Sequence, residues 1–151
     1  MISSLVTTRT DPGSIYRRDT SQEWWRTQAG RHSLYISAEV LIELSDPAFP
    51  RRVEALERVA ALPVLGINQE VQGLARLLVR EKVMPEPVAG DSIHVAVACV
   101  HRMEYLLSWN VRHLANPNKL RHLDTICLRL GFIPPRIVTP DLLWDESNEA
   151  R

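Results

Sequence analysis

The chain has 151 residues, 18 Lys and Arg against 18 Asp and Glu, and 45% hydrophobic residues. That length suits one domain with one core, the apolar fraction excludes a disordered chain, and the neutral total excludes a histone-like polybasic protein. No run approaches the ~20 apolar residues of a membrane helix, and residues 1–6 carry neither a basic leader nor a long apolar stretch. A soluble, cytoplasmic protein without a signal peptide is therefore expected. Its two cysteines, Cys99 and Cys127, both sit in apolar helical patterns and suit reduced core thiols better than a disulfide.

Short apolar runs alternate with helical patterns, which predicts an α/β domain over residues 1–144 and a fraying polar tail over 145–151. Trp24 and Trp25 suit packing better than nucleotide stacking. Residues 34–36 predict a short strand, with Ser37 as N-cap of a helix carrying Val40, Leu41 and Leu44. Pro50 is placed to open a helix that presents Val53, Leu56, Val59 and Ala60. Residues 63–67 predict a second strand, and Asn68 caps a helix with Val71, Leu74, Ala75 and Leu78 on one face. Two prolines and a glycine make residues 84–90 a loop.

From Asp91 the pattern is apolar almost all round, as in a helix buried on most sides. Residues 105–109 follow as an interior parallel strand, residues 114–130 as a helix stopped by Gly131, and Ile137 and Val138 as a last strand. There is no internal repeat, low-complexity segment or second domain.

Charge is unevenly spread. Residues 39–70 hold six acids against three bases, and residues 101–140 hold six bases against two acids. Two readings stand: solvated helix faces, or a metal-binding acidic cluster beside a surface that holds phosphates. Asp91, directly after Gly90, is either a first-turn acid complementing the helix dipole or a carboxylate at a strand-end crevice, placed to ligate a hard cation. Glu43, between Ile42 and Leu44, either faces solvent or partners Asp91 in a magnesium or manganese site. Asn110 is a turn residue, or it binds a metal-held water or a phosphate oxygen. His94 is a core histidine or a ligand, while Arg112 and His113 lie within reach of a phosphate. No Gly-rich phosphate loop, CxxC pair or serine nucleophile elbow occurs.

These segments resemble a known family. Tyr35-Ile36-Ser37-Ala38-Glu39-Val40-Leu41-Ile42-Glu43-Leu44 resembles the second motif of PIN-domain proteins, and Asp91-Ser92-Ile93-His94-Val95-Ala96-Val97-Ala98 their third. Leu107-Ser108-Trp109-Asn110-Val111-Arg112-His113 is similar to the Leu-Thr-Trp-Asn-x-x-His signature of one bacterial branch. The resemblance spans nearly the whole chain. It implies a three-layer α/β/α sandwich around a central parallel sheet, and a Mg2+- or Mn2+-dependent endoribonuclease of the VapC toxin type. Glu43 and Asp91 would be metal ligands, and Asn110 a catalytic residue where many relatives have a further acid. His94, Arg112 and His113 would contact substrate. RNA, a cognate antitoxin and a second copy in a homodimer are the implied partners.

One part of the pattern is missing. PIN proteins begin with an apolar strand ending in a metal-binding Asp, whereas residues 1–5 here look like the helix that follows it. Asp11 and Asp19 fall in a polar loop and at a helix start. The resemblance therefore implies that the central strand beside residues 105–109 lies upstream of an internal Met1. The alternative is a degenerate, inactive module that only binds a partner or RNA. A different metal-dependent phosphatase is a third possibility, because acid pairs alone do not specify RNA.

Overall fold

The computed structural model describes residues 1–114 and 116–145. Seven α-helices and four short strands follow one another in a mixed α/β order. The first two helices are α1 (Ile2–Leu5) and α2 (Pro12–Thr27). Asp11 caps α2 by accepting the Ser14 N–H, and Pro12 occupies its first turn, where a missing N–H costs nothing. Trp24 on α2 is 1% exposed, and its indole N–H donates to the Leu143 carbonyl at 2.7 Å. This is the expected packing role, and it ties the end of the domain to its start.

Strand β1 (Ile36–Ser37) leads into α3 (Ala38–Leu44), with Ser37 Oγ accepting the Val40 N–H as its cap. Helix α4 (Arg52–Val59) starts two residues after Pro50. Pro50 lies before the helix rather than in its first turn, and Arg51 makes no side-chain cap. Strand β2 (Val64–Leu65) precedes α5 (Gln69–Arg80), which Asn68 caps through the Val71 N–H. Helix α6 (Asp91–Val100) is buried on most sides, as its composition predicts, with seven residues shielded from solvent. After it come β3 (Tyr105–Leu107), α7 (Pro117–Arg129) and β4 (Arg136–Val138). Leu114 sits in the turn before α7, because Asn116 and Pro117 set the cap and first residue of that helix. Gly131, at φ +82°, ends it in the left-handed region open to glycine.

The strands make two separate parallel pairs, not one central sheet. Ile36 and Ser37 of β1 register with Val64 and Leu65 of β2, and residues 105–107 of β3 with 136–138 of β4. β3 is only half-buried, unlike the interior strand its sequence predicts, because among the described residues it pairs along one edge.

The core is divided in the same way. One cluster joins Val71, Leu74 and Leu78 of α5, Val95 and Cys99 of α6, Leu123 and Cys127 of α7, and Ile137 of β4. The other joins Leu5, Ile36, Leu44, Ala55 and Val59. Cys99 and Cys127 are buried, free thiols whose sulfurs lie 3.5 Å apart. A cavity of 720 Å³ lies between the clusters, with Ile36 and Ser37 on one side and residues 105–108 on the other.

Among the described residues no helix is long and apolar enough to cross a membrane. Asp145, where the polar tail is expected to begin, is held: its N–H donates to Gln28 Oε1 at 2.9 Å and its carboxylate meets Arg31 at 2.8 Å. Residues 146–151 of that expected tail lie outside the described residues.

Leu78 is fully buried in the larger cluster. Leu78→Ala is expected to destabilise the fold by about 2–5 kcal/mol, read as a lower urea midpoint at unchanged slope.

Candidate active site

Helical periodicity decides which side of α6 meets the cavity. Asp91, His94 and Ala98, at i, i+3 and i+7, line it together with Val97, while Ile93, Ala96 and Cys99 pack into the larger cluster. Glu43, from the last turn of α3, lines the same cavity. Glu43 and Asp91, 48 residues apart, thus line one cavity.

Gly90 sets the turn into α6. Its backbone is at φ +55° and ψ −118°, a conformation closed to residues with a Cβ, and an added Cβ would stand 3.5 Å from Glu43 Oε1. The Gly90 N–H donates to Glu39 Oε1 at 2.9 Å, so the first turn of α3 pins the loop that precedes Asp91.

Asn110 supports Asp91 from the other side. Its amide nitrogen donates to Asp91 Oδ2 at 3.0 Å, and its amide oxygen accepts the His113 N–H at 3.1 Å. Its own N–H donates to Ser108 Oγ at 3.0 Å. With both ends of the side chain engaged, Asn110 is a bracket that fixes the direction of Asp91. Among the described residues Asp91 Oδ1 accepts no hydrogen bond, and Asp91 lines the cavity.

His94 has both ring nitrogens engaged. Nε2 lies 3.0 Å from Glu43 Oε1 and Nδ1 lies 3.3 Å from Ser37 Oγ. Ser37 Oγ already accepts the Val40 N–H. A carboxylate only accepts, so Nε2–H donates to Glu43 Oε1, while the other ring nitrogen shares a hydrogen bond with the Ser37 hydroxyl. The geometry makes His94 a holder of Glu43. Arg112 lines a separate, smaller pocket alongside Asn110. His113 is close enough to act on Asp91 electrostatically.

Burial is the main influence on Asp91 and pushes its carboxyl above the usual range. The nearby charge of Glu43 adds to the shift, while His94, His113 and the Asn110 hydrogen bond oppose it. Two carboxylates beside one cavity, one of them strained toward protonation, form a site whose charge a divalent cation would offset. Among the described residues no three His, Cys, Asp or Glu side chains come together as a metal cage. The carboxylates on this wall that could hold a cation are Glu43 and Asp91, which would leave its remaining positions to water and substrate oxygen. That is a common arrangement for Mg2+, which dehydrates reluctantly.

The sequence pointed to Glu43, Asp91 and Asn110 but missed three contributors. Glu39 is an ordinary first-turn acid until the 84–90 loop folds against it. Ser37 shows only its capping pattern. Arg17, in the wall of the smaller pocket, lies on α2, whose polar sequence carries no chemical motif.

Comparison with protein-family models, with curated proteins and with solved structures finds no match to this chain. The chemistry of the site rests on its own geometry.

The raised carboxyl of Asp91 has a consequence for stability. A group held above its unfolded value favours folding below its ordinary range, and that contribution is lost as pH rises through the folded value. At neutral pH the ionised Asp91 therefore costs stability. Asp91→Asn is expected to raise Tm at pH 7 in the presence of a chelator. The gain should shrink toward pH 3, where the wild-type carboxyl is itself protonated, as followed by thermal melts across that range.

Proposed function

We propose that this chain is a metal-dependent phosphodiesterase of the PIN type that hydrolyses RNA, with Glu43 and Asp91 as the protein ligands of Mg2+ or Mn2+. The observation that carries this reading is the pair of carboxylates on one cavity wall, each with an oxygen free of protein partners among the described residues, and Asp91 raised by burial and by Glu43. The resemblance over residues 35–44, 91–98 and 107–113 selects RNA among phosphodiester substrates.

When bound, the cation would lower the pKa of a water and neutralise charge building up on the phosphodiester. The chain's own residues orient that chemistry. Asn110 fixes Asp91 in direction, and His94 holds Glu43 through Nε2–H. Glu39 fixes the Gly90 turn that brings the two carboxylates near one another. In this reading water is the attacking group, as in hydrolysis without a covalent enzyme intermediate. A cognate antitoxin and a homodimer are the partners the same resemblance implies.

A second reading is a non-catalytic module that binds RNA or a partner protein. It is favoured by the two-carboxylate donor set, one acid short of a three-ligand cage among the described residues.

Incubation of labelled RNA with the protein in Mn2+ or Mg2+ separates the two. Cleavage that stops with EDTA is expected, and Asp91→Asn and Glu43→Gln should each lower it by about a hundredfold or more. Cleavage that persists in both variants, or none with either metal, would count against the enzyme reading and leave the binding module.

A further inference from the structure

The smaller pocket, 420 Å³, lies beside the candidate active site, and its wall includes Ser3, Ser4, Arg17, Asn110 and Arg112. Met1, Ser3 and Ser108 line both this pocket and the large cavity, so the two are adjacent. Asn110 stands between them: its amide nitrogen reaches Asp91, and Arg112 follows two residues later.

The pocket has the character of an anion site. Arg17 and Arg112 are exposed, and neither forms an ion pair or side-chain hydrogen bond among the described residues. Arg9, Arg18, Arg26, Arg31, Arg51 and Arg80 each meet a carboxylate; what sets Arg17 and Arg112 apart from the other unpaired arginines is that they share one pocket wall. Two guanidinium groups on the wall of one pocket that also carries Ser3, Ser4 and Ser108 supply the charge and donors that suit a phosphate.

Packing holds Arg17 there. The Tyr16 ring meets Trp109 edge-on at 5.9 Å, and the Trp109 indole N–H donates to Ser21 Oγ at 2.8 Å. Ser21 is fully buried. These two contacts clamp α2 to the loop after β3, so Arg17 on α2 and Arg112 on that loop share a rigid frame.

We propose that Arg17 and Arg112 form a phosphate subsite of the RNA groove, holding a backbone phosphate next to the one presented to Glu43 and Asp91. The proposal rests on the RNA reading above and adds the route of the strand across the surface. The subsite reads the backbone and not the bases, so it contributes affinity and register without sequence preference.

The test is fluorescence anisotropy of a fluorescein-labelled single-stranded RNA of about a dozen nucleotides, titrated with the full chain in EDTA so that binding is read without cleavage. Arg17→Ala and Arg112→Ala are each expected to weaken binding about three- to tenfold. Each should also lower the slope of log affinity against log salt by about 0.7, the loss of one phosphate contact on a single strand. Arg80→Ala, an exposed charge on α5, should change neither, and thermal melts of all variants should overlay the wild type. Wild-type binding with an unchanged slope in Arg17→Ala/Arg112→Ala overturns the proposal, as does weakened binding at an unchanged slope or no RNA binding by the wild type. Because binding is measured without metal, RNA binding that depends on the two arginines, with no cleavage in Mn2+ or Mg2+, supports this subsite while removing the catalytic reading.

Discussion

The burial of α6 is the constraint on which the rest of the molecule depends. Seven of its ten residues are shielded, and it packs on α5 while also touching α3 and β3. A helix so apolar is stable only with neighbours on most sides, and each fully buried Val or Ile contributes about 1.5–3 kcal/mol. Those neighbours fix its rotation, and the rotation aims Asp91 and His94 at the cavity. The same helix thus supplies core and chemistry, separated by the 3.6-residue period. Its amino end is where the helix dipole and the preceding glycine allow a carboxylate to sit partly buried.

The site follows from an electrostatic conflict that the fold creates. Burial and the charge of Glu43 push Asp91 toward protonation, while Asn110, His94 and His113 favour its anion. The polar groups around the two carboxylates are largely spent on orientation: Asn110 on Asp91, His94 on Glu43, Ser37 on His94, and Glu39 on Gly90. What remains open are single carboxylate oxygens facing the cavity. A structure that invests this many hydrogen bonds in aiming two mutually repelling acids has the pattern of a functional site, where local stability is given up for pre-organised charge.

Much of this was legible along the chain. The capping residues Ser37 and Asn68 carry a local mechanism, one side-chain oxygen for one free N–H, and each caps the helix it precedes. The apolar pattern of residues 92–100 required burial wherever the helix went. Boundaries set by competition were less legible. Pro50 was compatible with a first helical turn, but α4 begins at Arg52; the apolar run from Leu114 suggested a longer helix than Asn116 and Pro117 permit. Residues 105–109 carry the composition of an interior strand, yet pairing extends over three residues and along one edge, because strand length depends on what lies alongside.

The sequence by itself determined the alternation of helices and strands, the capped helix starts and the carboxylate opening the most apolar helix, because these depend on neighbours within about one turn of chain. It also singled out Glu43, Asp91 and Asn110 by residue type and local context. Only the tertiary structure decided that Glu43 and Asp91 share one cavity wall, that Asn110 and His94 act as their brackets, and that Arg17 joins Arg112 across the Trp109 clamp. Those pairings span 19 to 95 residues of sequence. Contacts at such separations are set by how buried faces pack, and no local pattern records them.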